Sequence, residues 1–406
     1  KHPQKLRVLV LGNGFSGADI AAELAAHGHA VANAVRRPAY FLKRFLGERK
    51  TPIDLLFYSR ANHHRNSQSA KGNDEKQQLI ERHKTLSSLA GGNPGGVDPG
   101  LRVDPEAGPP YVCISEEYLS RVGEGQIQVL RERLKRVRRS RGGRGFLAEF
   151  DSKRAEFDAM VCATGYQADL NFLSASLQEE ISYVAEDLLQ PAILFEAVWP
   201  RKSLQRLCAI ASGGQAPGGE DGDQVQDDEG KEREGFASPA PSSISFVGMY
   251  RGPYFAAIEL QARWVASVVA DSCLGKGLER GGGMRRANVP NRMKMTGMSQ
   301  SEMEQGLANE LAIRHGTPRP QFPRADYVGM CEALASRIGA RPDTYLSAEE
   351  AGHVQLGDLG SVDRKALREK LWDGPLLPCH YRLEGKGTNA SVALAVMSLD
   401  VVKKQR

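Results

Sequence analysis

Residues 12–17 read Gly-Asn-Gly-Phe-Ser-Gly, a glycine spacing typical of turns that hold the pyrophosphate of a dinucleotide. In such a turn the first glycine permits a tight bend and the second lets backbone N–H groups approach the phosphates. The third lets a helix pack closely on a strand, and the N-terminus of that helix faces the anion. The spacing therefore predicts a dinucleotide site, with an ordinary strand-to-helix turn as the alternative. The predicted contacts are Gly12, Asn13, Gly14, Phe15, Ser16 and Gly17.

The segments around this turn supply the elements that such a site requires. Residues 6–11 are a short apolar run that ends at Gly12, which is typical of a buried parallel strand. Residues 15–27 carry small apolar residues at helical spacing, and residues 30–35 predict a second strand. A strand, a glycine turn, a helix and a second strand form the mononucleotide-binding half of a Rossmann-like fold.

Two arginines follow the second predicted strand. An NAD site commonly places Asp or Glu there, about 20 residues after the glycines, to bind the ribose 2′-hydroxyl. This chain has Arg36 and Arg37 instead. Guanidinium groups pair with a 2′-phosphate, which favours NADP(H). A solvated surface pair is the alternative interpretation.

A second turn of small residues ends a strand later in the chain. Residues 157–166 form an apolar run that ends in Ala-Thr-Gly-Tyr, and small residues there let a cofactor or another backbone come close. Before it, residues 126–158 alternate apolar runs with turn residues, which predicts an antiparallel meander. Residues 60–110 are rich in Asn, Gly, Pro and Ser, which predicts loops around one helical piece at 75–89.

The composition changes at residues 212–243, where Gly, Pro and Ser occur among many acidic residues. We expect a disordered insertion there. It separates two apolar runs that we interpret as strands, residues 207–211 and 244–250, and a helix is expected from about Phe255. The expected organisation is a dinucleotide-binding domain over 1–165, a second domain with the insertion over 166–275, and a helical or irregular extension over 299–390.

The bulk composition limits the classes of function. The 406 residues carry a formal net charge of +5, which is too weak to indicate a nucleic-acid partner. The basic run at 131–144 lacks interleaved aromatic residues and predicts a solvated face. The six cysteines form no CxxC pair, which disfavours a disulfide scaffold or a metal site, and Cys162 is interpreted as a small core residue. No apolar run is long enough to span a membrane, so a cytoplasmic protein is expected.

Three segments together resemble one known family. The turn at 12–17, the Ala-Thr-Gly-Tyr at 163–166 and the segment 246–264 are similar to those of the flavin-containing monooxygenases, the N-hydroxylating and S-oxygenating cousins of the Baeyer–Villiger enzymes. Segments 321–342 and 374–387 resemble the C-terminal part of such proteins. The resemblance implies an α/β fold: a Rossmann-like dinucleotide-binding domain with an antiparallel meander, followed by the C-terminal part of a two-dinucleotide-binding flavoprotein fold.

The resemblance also implies the cofactors NADPH and FAD. In this family NADPH reduces FAD, and the reduced flavin uses O₂ to oxygenate a soft nitrogen or sulfur atom, as in N,N-dimethylaniline monooxygenase activity, or a ketone. The expected partners are therefore a small-molecule substrate and O₂. By position, the resemblance places Gly165, Gly248 and Gln261 near the flavin, with Ala163 and Thr164 in the same cofactor-binding turn as Gly165. No catalytic side chain is identified.

The chain also departs from the family pattern. Family members carry two glycine fingerprints, and the first binds FAD near their N-terminus. This sequence resembles them from the second fingerprint onward, so the turn at 12–17 would hold NADPH. We therefore expect a fragment of the full enzyme, and the alternative is a non-catalytic NADP(H)-binding remnant or partner subunit.

Overall fold

The computed structural model describes residues 5–46, 51–53, 57–70, 74–140, 145–211, 244–250, 255–277, 299–316, 319–322, 326–346, 353–355, 361–385 and 387–398. The chain divides into two compact units. Unit 1 consists of residues 1–58, 62–167 and 317–322, and unit 2 of residues 59–61, 168–316 and 323–406. The expected acidic insertion, 212–243, lies outside the described residues.

A parallel sheet of four strands forms the centre of unit 1. Its strands are β1 (Arg7–Leu11), β2 (Ala30–Ala34), β7 (Ile127–Leu130) and β11 (Ala159–Cys162). They lie in the order β11, β1, β2, β7, and every neighbouring pair is parallel. Helix α1 (Phe15–Ala26) connects β1 to β2. The strand–turn–helix–strand unit predicted from the sequence is confirmed, and the fold is α/β.

Different elements cover the two faces of this sheet. On one face, Val8 and Val10 pack with the alanines of α1 and with helix α4 (Tyr118–Gly123). On the other face, Leu9 packs with residues of an antiparallel meander. The alternation of apolar side chains along β1 places one set on each face, so this strand is buried from both sides. The meander strands are β8 (Leu134–Arg139), β9 (Phe146–Phe150) and β10 (Arg154–Phe157).

Residues 60–110 contain more regular structure than their composition suggests. The predicted helix is present as α3, Glu75–Leu89, and the Asp74 side chain accepts a hydrogen bond from its first turn. The polar helix α2, Arg60–Ala70, was not predicted. Two 3₁₀ turns, Pro94–Gly96 and Pro99–Leu101, also lie in this range. The short strands on either side of it are β3 (Tyr40–Leu42), β4 (Phe45–Leu46), β5 (Thr51–Pro52) and β6 (Val112–Ile114).

Unit 2 is mainly helical in its described residues. Edge-on contact between Trp199 and Trp264, whose ring centroids are 6.0 Å apart, marks its buried core. The helices are α5 (Ala175–Glu180), α6 (Arg201–Ala211), α7 (Phe255–Gly277), α8 (Gln300–His315), α9 (Tyr327–Arg337), α10 (Asp343–Leu346), α11 (Arg364–Trp372), the 3₁₀ helix Pro378–Arg382 and α12 (Ala390–Val396). A short antiparallel pair joins β12 (His353–Gln355) to β13 (Ser361–Asp363).

Two strand predictions in unit 2 were wrong. Residues 207–211 form the last turns of α6, because five apolar residues fit a helix as well as a strand. Residues 244–250 form no strand: Gly248 has a φ of +77°, and the Tyr250 N–H donates to the Gly248 carbonyl oxygen at 2.9 Å. The helix expected from Phe255 is confirmed as α7. Among the described residues, no helix combines the length and the apolar character needed to cross a membrane.

Candidate cofactor site

The glycines at 12 and 17 lie where a side chain would not fit. Gly12 has a φ of +99°, and a Cβ there would lie 2.5 Å from the Ala163 carbonyl oxygen. A Cβ on Gly17 would lie 2.8 Å from the Gly12 carbonyl carbon. These contacts let α1 begin directly against the end of β1. Gly14 differs, because a Cβ there would meet nothing within 4 Å, so its open side is available to a ligand.

The start of α1 has the character of an anion site. Gly14 is the N-cap and supplies no side-chain acceptor, and the first turn holds no acidic residue. The first three N–H groups of a helix have no partner within it, and together with the helix dipole they favour an anion. Asn13 is buried beside them, and its Nδ2 has no hydrogen-bond partner among the described residues.

Arg36 and Arg37 are both exposed just after β2, but their surroundings differ. The Arg37 guanidinium donates a hydrogen bond to the Tyr111 hydroxyl and lies 5.3 Å from the centre of that ring. Tyr111 in turn donates to the Arg319 carbonyl oxygen at 3.3 Å. Arg36 makes no hydrogen bond or ion pair within the described residues. The chain thus places one anchored and one unpaired cation at the same strand end.

The turn at 163–165 lies beside the glycine turn. Strand β11 pairs with β1 up to Leu11 and Cys162, and the Ala163 N–H donates to the Leu11 carbonyl oxygen at 2.9 Å. Gly165 has a φ of +95°, and a Cβ there would meet nothing within 4 Å. The structure therefore brings together residues 12–17 and 163–165.

Cys162 was expected in the core, and this was wrong. Strand β11 is an edge strand of the sheet. Burial alternates along it, and the Cys162 thiol lies on the exposed side.

Gly248 and Gln261 lie together in unit 2. Gln261 is fully buried; its Oε1 accepts from the Gly248 N–H at 2.9 Å, and its Nε2 donates to the Glu196 carbonyl oxygen at 3.0 Å. Glu196 and Ala197 have positive φ values of 50° and 55°. The Gln261 side chain is thus engaged in fastening two backbone segments, and the Gly248 carbonyl oxygen is also paired, because it accepts from the Tyr250 N–H at 2.9 Å.

Sequence reasoning missed Asn33, a fully buried polar residue in the middle of β2. Its Nδ2 donates to the carbonyl oxygens of Val10 at 3.0 Å and Gly12 at 2.9 Å. Its Oδ1 accepts from the hydroxyl of Tyr118 at 2.6 Å. The available signal was an asparagine within the otherwise apolar run Ala-Val-Ala-Asn-Ala, since a buried amide requires partners.

A second buried polar cluster lies in unit 2. Arg60 Nε donates to Glu332 Oε1 at 2.8 Å, and the Tyr381 hydroxyl donates to the same oxygen at 2.8 Å. Arg60 Nη1 is 3.1 Å from His380 Nδ1 and also donates to the Leu371 carbonyl oxygen. Burial, followed by the charge of Arg60, lowers the pKa of His380 to about 3. The imidazole is therefore neutral and accepts from the guanidinium.

Comparisons of the sequence with known proteins indicate one family. Residues 1–214 match the family model described as flavin-binding monooxygenase-like. Flavin-containing monooxygenase 5 from Cavia porcellus is 23% identical over 388 residues, with 94% of this chain and 55% of the relative covered. The Homo sapiens protein of that name is 23% identical over 396 residues, with 97% and 57% covered. The chain thus spans a little over half the length of these relatives.

Similarity to solved structures is weak. A closed crystal structure of cyclohexanone monooxygenase shares 13% identity at a TM-score of 0.29, covering 48% of this chain and 45% of that one. A structure of L-lysine 6-monooxygenase from Pseudomonas syringae shares 14% identity at a TM-score of 0.24, with 48% and 43% covered.

Proposed function

Because the chain belongs to the flavin-binding monooxygenase-like family, we propose that it is an NADPH- and FAD-dependent monooxygenase. It transfers one oxygen atom from O₂ to a small molecule with a soft nitrogen or sulfur nucleophile, or to a ketone. The observation that carries the proposal is the glycine turn of unit 1. That turn presents unpaired N–H groups at a strand end beside two cations and carries no competing carboxylate in the first turn of α1.

In this proposal the pyrophosphate of NADPH lies against residues 12–17. The absence of a side chain at Gly14 leaves room for the phosphates, and the N–H groups of Phe15 and Ser16 point toward them. The orphaned Nδ2 of Asn13 supports the same assignment, since buried donors are normally paired. Residues 163–165 complete the edge of the cofactor site next to Gly12.

The 2′-phosphate of NADPH lies against Arg36 and Arg37. Tyr111 holds the Arg37 guanidinium by a hydrogen bond and by its ring face, so little side-chain entropy remains to be lost on binding. Arg36 is left to approach the phosphate from solvent. NADH lacks this phosphate, so the two arginines select NADPH.

Residues 1–165 are the NADPH-binding domain of this proposal, and residues 166–275 are the C-terminal part of an FAD-type domain. Bound flavin supplies the reaction with O₂, and the chain binds, orients and shields its cofactors from water. In unit 2 Gly248, which has no side chain, is the proposed point of close approach to the flavin. Gln261 supports it by fixing the Gly248 N–H.

The proposal is tested by the visible spectrum of the purified chain after incubation with excess FAD and desalting. We expect retained flavin that bleaches on addition of NADPH and recovers in air. Absence of retained flavin, together with intact NADPH binding, would contradict the monooxygenase assignment. That result would favour the alternative, a non-catalytic NADP(H)-binding remnant or partner subunit.

A further inference from the structure

We infer that Asn33 is a positioning residue for the pyrophosphate of the dinucleotide, and that Tyr118 holds Asn33 in the required orientation. The inference rests on the proposed NADPH site. The Asn33 side-chain amide is buried and contacts the carbonyl side of the glycine turn, so it does not itself touch the ligand. A change at Asn33 should therefore weaken binding of the pyrophosphate and leave binding of the 2′-phosphate unchanged.

The hydrogen bond from Asn33 fixes the direction of the peptide plane between Gly12 and Asn13. A trans peptide is planar, and its C=O and N–H point in opposite directions. Asn33 Nδ2 donates to the Gly12 carbonyl oxygen at 2.9 Å, so it draws this oxygen toward β2. The N–H of the same peptide belongs to Asn13 and must point the other way, toward the open side of the turn. That N–H makes no hydrogen bond within the described residues.

This peptide plane needs a restraint because it follows a glycine. Gly12 has a φ of +99°, and glycine is free to adopt many other conformations. The close approach of Gly17 limits movement of the Gly12 carbonyl on one side only. The bond from Asn33 adds a directional restraint, and its second bond, to Val10 at 3.0 Å, fixes the amide relative to β1.

The surrounding groups also fix the orientation of the Asn33 amide. A flipped amide would place Oδ1 against two carbonyl oxygens. The two carbonyl oxygens therefore require Nδ2 to face the turn, and the Tyr118 hydroxyl holds the amide in this orientation by donating to Oδ1 at 2.6 Å. Tyr118 is fully buried and stacks on Phe41 with centroids 4.6 Å apart. Burial raises the pKa of Tyr118, so its hydroxyl keeps the proton that it donates.

The test uses two ligands and the full chain. NADP⁺ contains the pyrophosphate and the 2′-phosphate, whereas 2′-AMP contains only the 2′-phosphate. Binding of each is measured by titration calorimetry for the wild type, Asn33→Leu, Tyr118→Phe and Arg36→Ala, with the thermal midpoint of each variant. Tyr118→Phe keeps the ring that stacks on Phe41, so it is the variant expected to retain the fold.

We expect Asn33→Leu to weaken NADP⁺ about tenfold and Tyr118→Phe about threefold, with 2′-AMP changed less than twofold in both. Arg36→Ala should weaken both ligands and thus serves as the matched control. Equal loss of both ligands in the Asn33 and Tyr118 variants, or no loss of NADP⁺ in either, overturns the positioning role. If the wild type binds neither ligand, the proposed function itself fails.

Discussion

Substitution by alanine should affect stability and NADP⁺ binding differently at two glycines of the turn, Gly14 and Gly17. A methyl group on Gly17 would lie 2.8 Å from the Gly12 carbonyl carbon, whereas one on Gly14 would meet nothing within 4 Å. Gly14 has φ −71° and ψ −176°, which alanine adopts without strain. The first change therefore perturbs the packing of α1 on β1, and the second perturbs only the space for the ligand.

The contact distances set the size of each effect. In Gly17→Ala the methyl group would overlap the Gly12 carbonyl oxygen and lie 2.8 Å from the carbonyl carbon, so α1 must recede from Gly12 by more than about 0.6 Å to reach an ordinary contact. Overpacking of this kind costs about 1–3 kcal/mol, and the helix propensity of alanine returns about 1 kcal/mol. Because the nearest clash is with the backbone carbonyl of Gly12, the overpacking cost lies at the upper end of this range. We therefore expect a net destabilisation of about 2 kcal/mol, or a thermal midpoint lower by about 5 °C. Gly14→Ala should change stability by less than about 0.5 kcal/mol.

Calorimetry and ligand titration distinguish the two roles. Gly14→Ala should keep its thermal midpoint yet lose about tenfold or more in NADP⁺ affinity, because the methyl group occupies the position of closest approach to the phosphates. Gly17→Ala should lose both stability and affinity. The assignment of Gly14 to the ligand is refuted if Gly14→Ala binds NADP⁺ as the wild type does. It is equally refuted if that variant unfolds as early as Gly17→Ala.

Three further predictions follow from other contacts. Tyr111→Leu removes the ring and the hydroxyl that hold Arg37, so NADPH affinity should fall about threefold with NADH unchanged in parallel titrations, and an equal fall for both would contradict it. Burial lowers the pKa of His380 from 6.5 to about 3. As the pH falls below 6.5, His380 takes up a proton in the unfolded chain but stays neutral in the folded one. The free energy of unfolding of unit 2 should therefore fall by about 2 kcal/mol between pH 7 and 5. Urea unfolding should show this slope in the wild type and not in His380→Gln. Gln261→Leu leaves the Gly248 N–H without its partner and should cost about 2–3 kcal/mol by the same method, whereas a loss below about 0.5 kcal/mol would contradict the fastening role.

Local pattern was sufficient for the elements that form the glycine turn. Strand β1, helix α1 and strand β2 were predictable because apolar periodicity and glycine spacing act within a few residues. The meander strands from 134 to 157 and the strand before residues 163–165 were predictable for the same reason. Residues 127–130, which were expected in the meander, instead form β7 and pair in parallel with β2. The strand prediction at 207–211 was wrong because a short apolar run is compatible with either a helix or a strand. Here the run continues α6, which begins in the charged residues before it.

Segment 244–250 forms no strand for a tertiary reason. The N–H of Gly248 pairs with a side chain of α7 instead of a neighbouring strand, and its φ of +77° interrupts the extended backbone. Asn33 was missed for a similar reason. Its partner Gly12 lies 21 residues away along the chain and its partner Tyr118 lies 85. No local pattern reports which distant carbonyl a buried amide will meet.

The central claim is that this chain selects NADPH through its glycine turn and the arginines that follow β2. The most direct measurement is the dissociation constant of NADPH and of NADH for the wild type and for Arg36→Glu, by fluorescence titration at one fixed ionic strength. The account predicts that the wild type binds NADPH at least tenfold more tightly than NADH and that this ratio disappears in Arg36→Glu, with NADH affinity little changed. Equal affinity for the two nucleotides in the wild type, or a preference for NADPH that survives Arg36→Glu, would contradict it.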